Sequence, residues 1–205
     1  STALIGSSGN TFTFDPASGP LFAGTARPTK TIVLSPEYPG AVLTASASAT
    51  ITGSMTSDAS ASANFKTYYE WKSTQTSLND YTVAVRVTLP KDFSGWAAAG
   101  TVLTVNYNTL LTSNTNNKLD VYIYNAAETA GKPVTFSTAN ASGTEKTWTS
   151  VTFTKANLDD DDVNQATTDL DAAGETGIIY LKMYAKDTVN YVQIGDIVID
   201  YLAKF

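Results

Sequence analysis

The sequence contains neither histidine nor cysteine, and these two absences remove much of ordinary enzyme chemistry. Serine-type and thiol-type hydrolysis use an imidazole base, and most zinc and non-haem iron sites are built from His or Cys. A lysine could serve as base instead, but no motif supports one in that role. Without cysteine there is no disulfide frame. Charge is sparse as well: 16% of the 205 residues, with a net of −6 and no Lys/Arg-rich stretch. Nucleic acid and anionic membranes are poor partners for such a surface. No apolar run is long enough to span a membrane, so direct membrane insertion is not expected, and no signal peptide is visible. Phosphate-cradling glycine loops are missing too.

What is present is apolar residues at 42% and a surplus of Ser, Thr and Asn. Thr suits strands, while Ser and Asn suit the turns between them. Helical periodicity is nearly absent and period-two alternation is widespread. In Tyr81–Leu89 the odd positions are apolar and the even ones small or polar. Leu103, Val105 and Tyr107 repeat the pattern, as do Leu119, Val121 and Ile123, then Val151 and Phe153, then Ile179, Leu181 and Met183. Further strands are predicted at Thr11–Asp15, Thr29–Ser35, Ala41–Ser48, Phe65–Trp71 and Tyr191–Leu202. In the last of these the apolar parity slips at Gly195, which predicts a β-bulge. Turn signals separate the runs at intervals of roughly a dozen residues. The expectation is an all-β, antiparallel two-sheet sandwich, jelly-roll-like, of about nine or ten strands.

Residues 1–10 read as a linker-like segment because of Gly6-Ser7-Ser8-Gly9-Asn10, and residues 11–205 as a single sandwich domain. The start without Met suggests a piece of a longer protein. Two segments break the rhythm. Ala45–Ala63 is rich in Ser, Ala and Thr and suits an edge strand, a long loop or a partly mobile excursion. Asn157–Asp171 is acidic and suits a short helix or an ordered loop.

The second half contains the strand Trp148-Thr149-Ser150-Val151-Thr152-Phe153, then Ala173-Gly174-Glu175 leading into Thr176–Leu181, and the closing strand Val192–Tyr201. In these elements it resembles jelly-roll, carbohydrate-binding-module-like domains. More narrowly, the chain looks like the C-terminal globular domain of long, repeat-containing surface or fibre-like proteins of uncultured ultra-small bacteria. That comparison rests on Ala26-Arg27-Pro28-Thr29-Lys30, Glu37-Tyr38-Pro39-Gly40-Ala41 and Asp200-Tyr201-Leu202. It implies an extracellular, cell-surface position. Binding modules of this kind often carry a structural Ca²⁺ near an Asp of the final strand, which makes Asp196 a candidate by resemblance, with Asp200 behind it.

The sequence itself offers three constellations. If Tyr81, Val83 and Val85 point inward, then Tyr68, Glu70, Arg86, Asp120, Tyr122, Tyr124, Tyr180, Lys182 and Tyr184 point outward. Tyr rings stack on the apolar face of a sugar while charged or amide groups take its hydroxyls. The same residues could instead be cross-strand Tyr pairs or the contact of a homo-oligomer. The run Asp159–Asp162, of which Asp159, Asp161 and Asp162 are candidate ligands, could hold Ca²⁺ or be a solvated loop. A carboxylate-pair glycosidase, with Glu70 and either Asp120 or Asp80, is chemically open but the least favoured reading. Asn140-Ala141-Ser142 fits a glycosylation sequon. The function expected is a non-catalytic extracellular binding or adhesion module for a surface glycan; the alternative is a self-assembling fibre head or envelope-layer subunit.

Overall fold

A computed structural model describes residues 3–7, 9–17, 19–45, 52–60, 66–159 and 166–205. Among them the chain is almost entirely β. Its strands are β1 Ala3–Ser7, β2 Asn10–Asp15, β3 Gly19–Phe22, β4 Thr29–Leu34, β5 Val42–Ala45, β6 Gly53–Ser60, β7 Lys66–Ser73 and β8 Asn79–Thr88. They continue as β9 Phe93–Gly95, β10 Thr101–Thr109, β11 Asn117–Asn125, β12 Thr135–Asn140, β13 Thr149–Thr154, β14 Thr176–Ala185 and β15 Tyr191–Ala203. One helical turn, α1 Lys155–Leu158, is capped at its start by Thr154 and Asn157.

The body is an antiparallel two-sheet sandwich. One sheet runs β12-β11-β14-β8-β5. The other runs β13-β10-β15-β7-β6, with β4 and β9 also pairing β15. The predicted inward rows meet between them: Val83, Val85, Leu119, Val121, Ile123, Ile179, Leu181 and Met183 from one sheet, Val105, Val192, Ile194 and Ile197 from the other, all with no exposed surface. Across the gap Trp71 packs on Tyr81 with ring centroids 5.1 Å apart, and its Nε1 donates to Asn79 O at 2.9 Å.

The strand count exceeds the nine or ten expected. The two sheets hold twelve strands among the described residues, and a further sheet, β1-β2-β3, precedes them. The extra pieces are short or lack apolar alternation: β9 has three residues, and β6 reads GSMTSDAS. Of the alternatives for the Ser/Ala/Thr-rich tract, residues 53–60 take the edge strand, paired along their whole length with β7. The N-terminal expectation needs correcting. Ala3–Ser7 pairs with β2 instead of forming a linker, because the Gly9 turn (φ 82°) folds the chain back on itself. Phe12 packs on Phe22 at 4.9 Å, and Phe22 N–H donates to Lys204 O, tying this sheet to the end of the chain.

The bulge at Gly195 is present. Tyr107 of β10 pairs with Ile194 and Val105 with Ile197, so Asn106 faces two residues of β15. Inward residues are therefore even-numbered before the bulge and odd-numbered after it, as the parity slip predicts. The same edge of β15 pairs with β7 over Tyr191–Ile194 and with β4 over Ile197–Leu202. Glycine is needed here for close approach: a Cβ at 195 would lie 2.9 Å from the Trp148 ring. Tyr38 Oη donates to Gly195 O, and Asn106 Nδ2 to Asp196 O at 3.0 Å.

Candidate functional site: the tyrosine face of the five-stranded sheet

Register and parity decide which outward residues share a face. Tyr122 on β11 is paired with Phe136 on one side and Tyr180 on the other, Tyr180 with Ala84, and Ala84 with Val42. A row Phe136–Tyr122–Tyr180–Ala84–Val42 thus crosses all five strands. The next row toward one end is Tyr124–Ile178–Arg86; toward the other come Asp120–Lys182–Thr82–Thr44 and then Lys118–Tyr184–Asp80. Phe136 and Val42 are exposed, and the four tyrosines are half-buried.

The rings interlock. Tyr122 stacks on Phe136 at 5.8 Å and 27°, and Tyr124 meets Tyr180 edge-on at 5.3 Å. Lys182 Nζ lies 5.9 Å from the centroids of both Tyr122 and Tyr184, within cation–π range. Burial, the tyrosines Tyr122 and Tyr180 adding to it, holds the Tyr124 hydroxyl above the ordinary phenol range. The Tyr184 hydroxyl is pushed up to about 12 by burial first, then by Asp80 and Asp120. These two hydroxyls therefore stay neutral and able to donate at physiological pH.

The turn after β11 walls this face. Tyr122, Tyr124, Tyr180, Lys182, Thr44, Thr82 and Ile178 form the floor of a cavity of about 510 Å³, closed on one side by Asn125, Ala126, Glu128 and Gly131. That volume is within the usual range for small-ligand sites. Glu128 fastens the wall. Its Oε1 accepts Ala130 N–H at 2.7 Å, and its Oε2 accepts Thr167 N–H at 2.8 Å and the Thr167 hydroxyl at 3.3 Å. These donors, Ala130 foremost, hold its carboxyl below the usual range.

Of the residues expected to bind a ligand, Tyr122, Tyr124, Tyr180 and Lys182 line this cavity, with Arg86 and Tyr184 in neighbouring rows. Asp120 shares the face but is committed to structure. It is only 3% exposed; its Oδ1 accepts Ala139 N–H at 2.6 Å and its Oδ2 takes Lys118 Nζ at 3.0 Å. The reason is a bulge in β12, where the register shifts opposite Asp120 and Ala139 adopts φ 59°. The Ala139 N–H leaves the ladder, and the carboxylate receives it.

Tyr68 and Glu70 belong to the opposite, seven-stranded sheet. There Glu70 accepts from Gln193 Nε2 at 2.7 Å and from Lys72 at 2.9 Å, and Gln193 Oε1 accepts Asn108 Nδ2 at 2.9 Å. Tyr68 lies 6.1 Å from Trp148, beside Lys66. Alternation cannot say which sheet an outward residue faces from, so one outward set has become two. The carboxylate pairs considered for glycoside hydrolysis are separated by the same division, since Asp80 and Asp120 are on the five-stranded sheet.

Of the proposed cation ligands, the two that lie among the described residues, Asp159 and Asp196, stand apart. Asp159 pairs with Lys155 at 3.1 Å near the start of β10, whereas Asp196 sits opposite Asn106 in the middle of that strand. Asp161 and Asp162 lie outside the described residues. Among the described residues no group of three or more carboxylates converges on one point. The sequon is also engaged. Asn140 Nδ2 donates to Leu119 O and Ser137 O, and the Ser142 hydroxyl accepts Thr109 N–H in the interior. Among the described residues no helix is long and apolar enough to cross a membrane.

Sequence reasoning missed Phe136, Thr44, Thr82 and Glu128. Thr82 has the outward parity of β8 and was within reach. Nothing in the sequence says that the turn carrying Glu128 folds over the tyrosines.

No protein-family model and no curated protein matches the chain. Among solved structures, TmCBM61 in complex with β-1,4-galactotriose is 8% identical with a TM-score of 0.49, over 80% of this chain and 88% of that one. A family two carbohydrate esterase from Cellvibrio japonicus is 10% identical with a TM-score of 0.44, over 87% of this chain and 36% of that one. The glycoside hydrolase domain of Endo-D from Streptococcus pneumoniae R6 is 12% identical with a TM-score of 0.42, over 77% and 21%. At these identities and scores no residue role and no ligand is carried over to this chain.

Proposed function

We propose that this protein is a non-catalytic, extracellular glycan-binding module whose site is the walled tyrosine face of the five-stranded sheet. The observation that carries the reading is the Phe136–Tyr122–Tyr180 row lying beside a cavity of about 510 Å³. Flat rings present π-faces to the C–H side of a sugar ring, while Thr44, Thr82 and the tyrosine hydroxyls offer short polar handles for its hydroxyls. A ligand narrower than a sheet fits beside the Ala126–Gly131 wall, whereas a flat second copy would have to ride over it. For that reason self-assembly through this face is the weaker reading.

The test is a polysaccharide panel read by affinity electrophoresis and calorimetry. The intact protein binds at least one glycan, and Tyr122→Ala with Tyr180→Ala weakens that binding by about tenfold or more, since each stacked ring contributes about 0.5–1.5 kcal/mol beyond its buried area. The corresponding Phe pair, which keeps the rings, retains most of the affinity. Undiminished binding by the Ala pair would remove the tyrosine row from the site, and absence of binding across the panel would remove the function.

A further inference from the structure

We infer that the glycan recognised here is acidic and carries carboxylates, with Lys182 as the group that selects for them. The inference rests on the reading of the tyrosine face as a glycan site and adds the charge of its ligand.

It follows from an account of the charges on that face. Lys182 makes no ion pair among the described residues, and its ammonium lies beside the Tyr122 and Tyr184 rings at the cavity floor. The carboxylate in the cavity lining, Glu128, is already occupied by the Ala130 and Thr167 donors. Asp120, directly opposite Lys182 in register, spends its oxygens on Ala139 N–H and on Lys118. Arg86 is exposed on the far side of the Tyr122–Tyr180 row and makes no ion pair among the described residues. Asp80 stands one row beyond Lys182, opposite Tyr184, and forms no ion pair with it. A chain of net charge −6 therefore keeps two uncommitted cations, one on either side of its aromatic row.

Lys182 then discriminates by desolvation. Any sugar stacked on Tyr122 strips water from the neighbouring ammonium. A neutral sugar offers that charge only hydroxyl oxygens and no counter-charge for the water it displaces. A uronate carboxylate instead supplies a charge-assisted hydrogen bond.

The probe is an oligogalacturonide and its methyl ester, which share a backbone and differ in charge, together with an oligomannuronate and neutral galacto- and gluco-oligosaccharides. Calorimetry at low salt is expected to show the free acid binding about tenfold tighter than the ester, a preference that shrinks at high salt. Lys182→Met, which keeps the apolar stem over the tyrosines, abolishes the acid preference, and Lys182→Arg retains it; thermal melting confirms that both variants are folded. Binding of acid and ester with equal strength, a preference for neutral chains, or an acid preference that survives Lys182→Met would each overturn the inference while leaving the glycan site standing. Absence of binding to every glycan would overturn both.

Discussion

Asp120 gives the sharpest test of how outward position and function separate in this sheet. Replacing it with Ala removes the acceptor of the Ala139 N–H and the anion beside Lys118 in one step. The Asp120 side chain is 5% exposed and that of Lys118 22%, so the pair is mostly withdrawn from water, although the ammonium can swing outward. Breaking a buried pair costs about 3–5 kcal/mol, and the escape route of Lys118 places this case near 3. Asp120→Asn keeps an oxygen for Ala139 and loses only the charged bond, for about 1–2 kcal/mol. Urea unfolding reads the difference directly if the slope stays constant. Heating should show a fall of about 6–12 °C for the Ala variant at this chain length. Lys118→Met combined with Asp120→Asn should cost less than the sum of the single changes, by about 1 kcal/mol. The reasoning fails if Asp120→Ala stays within about 0.5 kcal/mol of the parent, or if Asn does as much damage as Ala.

Two other outcomes are expected. The carboxyl of Glu128 is held below its ordinary value near 4.5, so the wall it fastens is fully secured above that value and released as pH falls through the lower, folded one. Glycan affinity should stay level from neutral pH down to that ordinary value and drop below it, and Glu128→Gln should show the weakened binding already at neutral pH; an acid profile unchanged by the substitution refutes the latch. Gly195→Val should cost about 1–3 kcal/mol and shift tryptophan emission, because its Cβ meets the Trp148 ring at 2.9 Å; parental stability and emission would show that the ring yields freely.

The fold was legible because period-two alternation is a local signal. Val83, Val85, Leu119 and Val121 declare their parity without reference to any partner, and the slip at Gly195 exposes the bulge in the same way. Short edge pieces such as β9 and β12 carry too few apolar positions to register. The site was half legible. Tyr122, Tyr124, Tyr180 and Lys182 share an outward parity, but only strand order shows that Tyr68 and Glu70 face away from them. The commitment of Asp120 depends on the positive φ of Ala139, nineteen positions away, and no pattern along β11 announces it.

The bulge in β15 also decides where this chain tolerates change in length. Removing one residue at 195 would leave a single residue between Ile194 and Ile197 and keep Ile197 and Ile199 inward, but it would remove the Gly195 carbonyl that accepts the Tyr38 hydroxyl and draw the β7-paired and β4-paired stretches of the edge one residue closer together. Adding a residue there would put three residues between Ile194 and Ile197 opposite the single Asn106, so the ladder with β10 would have to slip or the bulge to widen. The turns at Asn114–Asn116 or Ala172–Gly174 lie between strands and impose no such parity. Laboratory grafts and natural length variants should therefore accumulate in those turns, while position 195 keeps its reading frame.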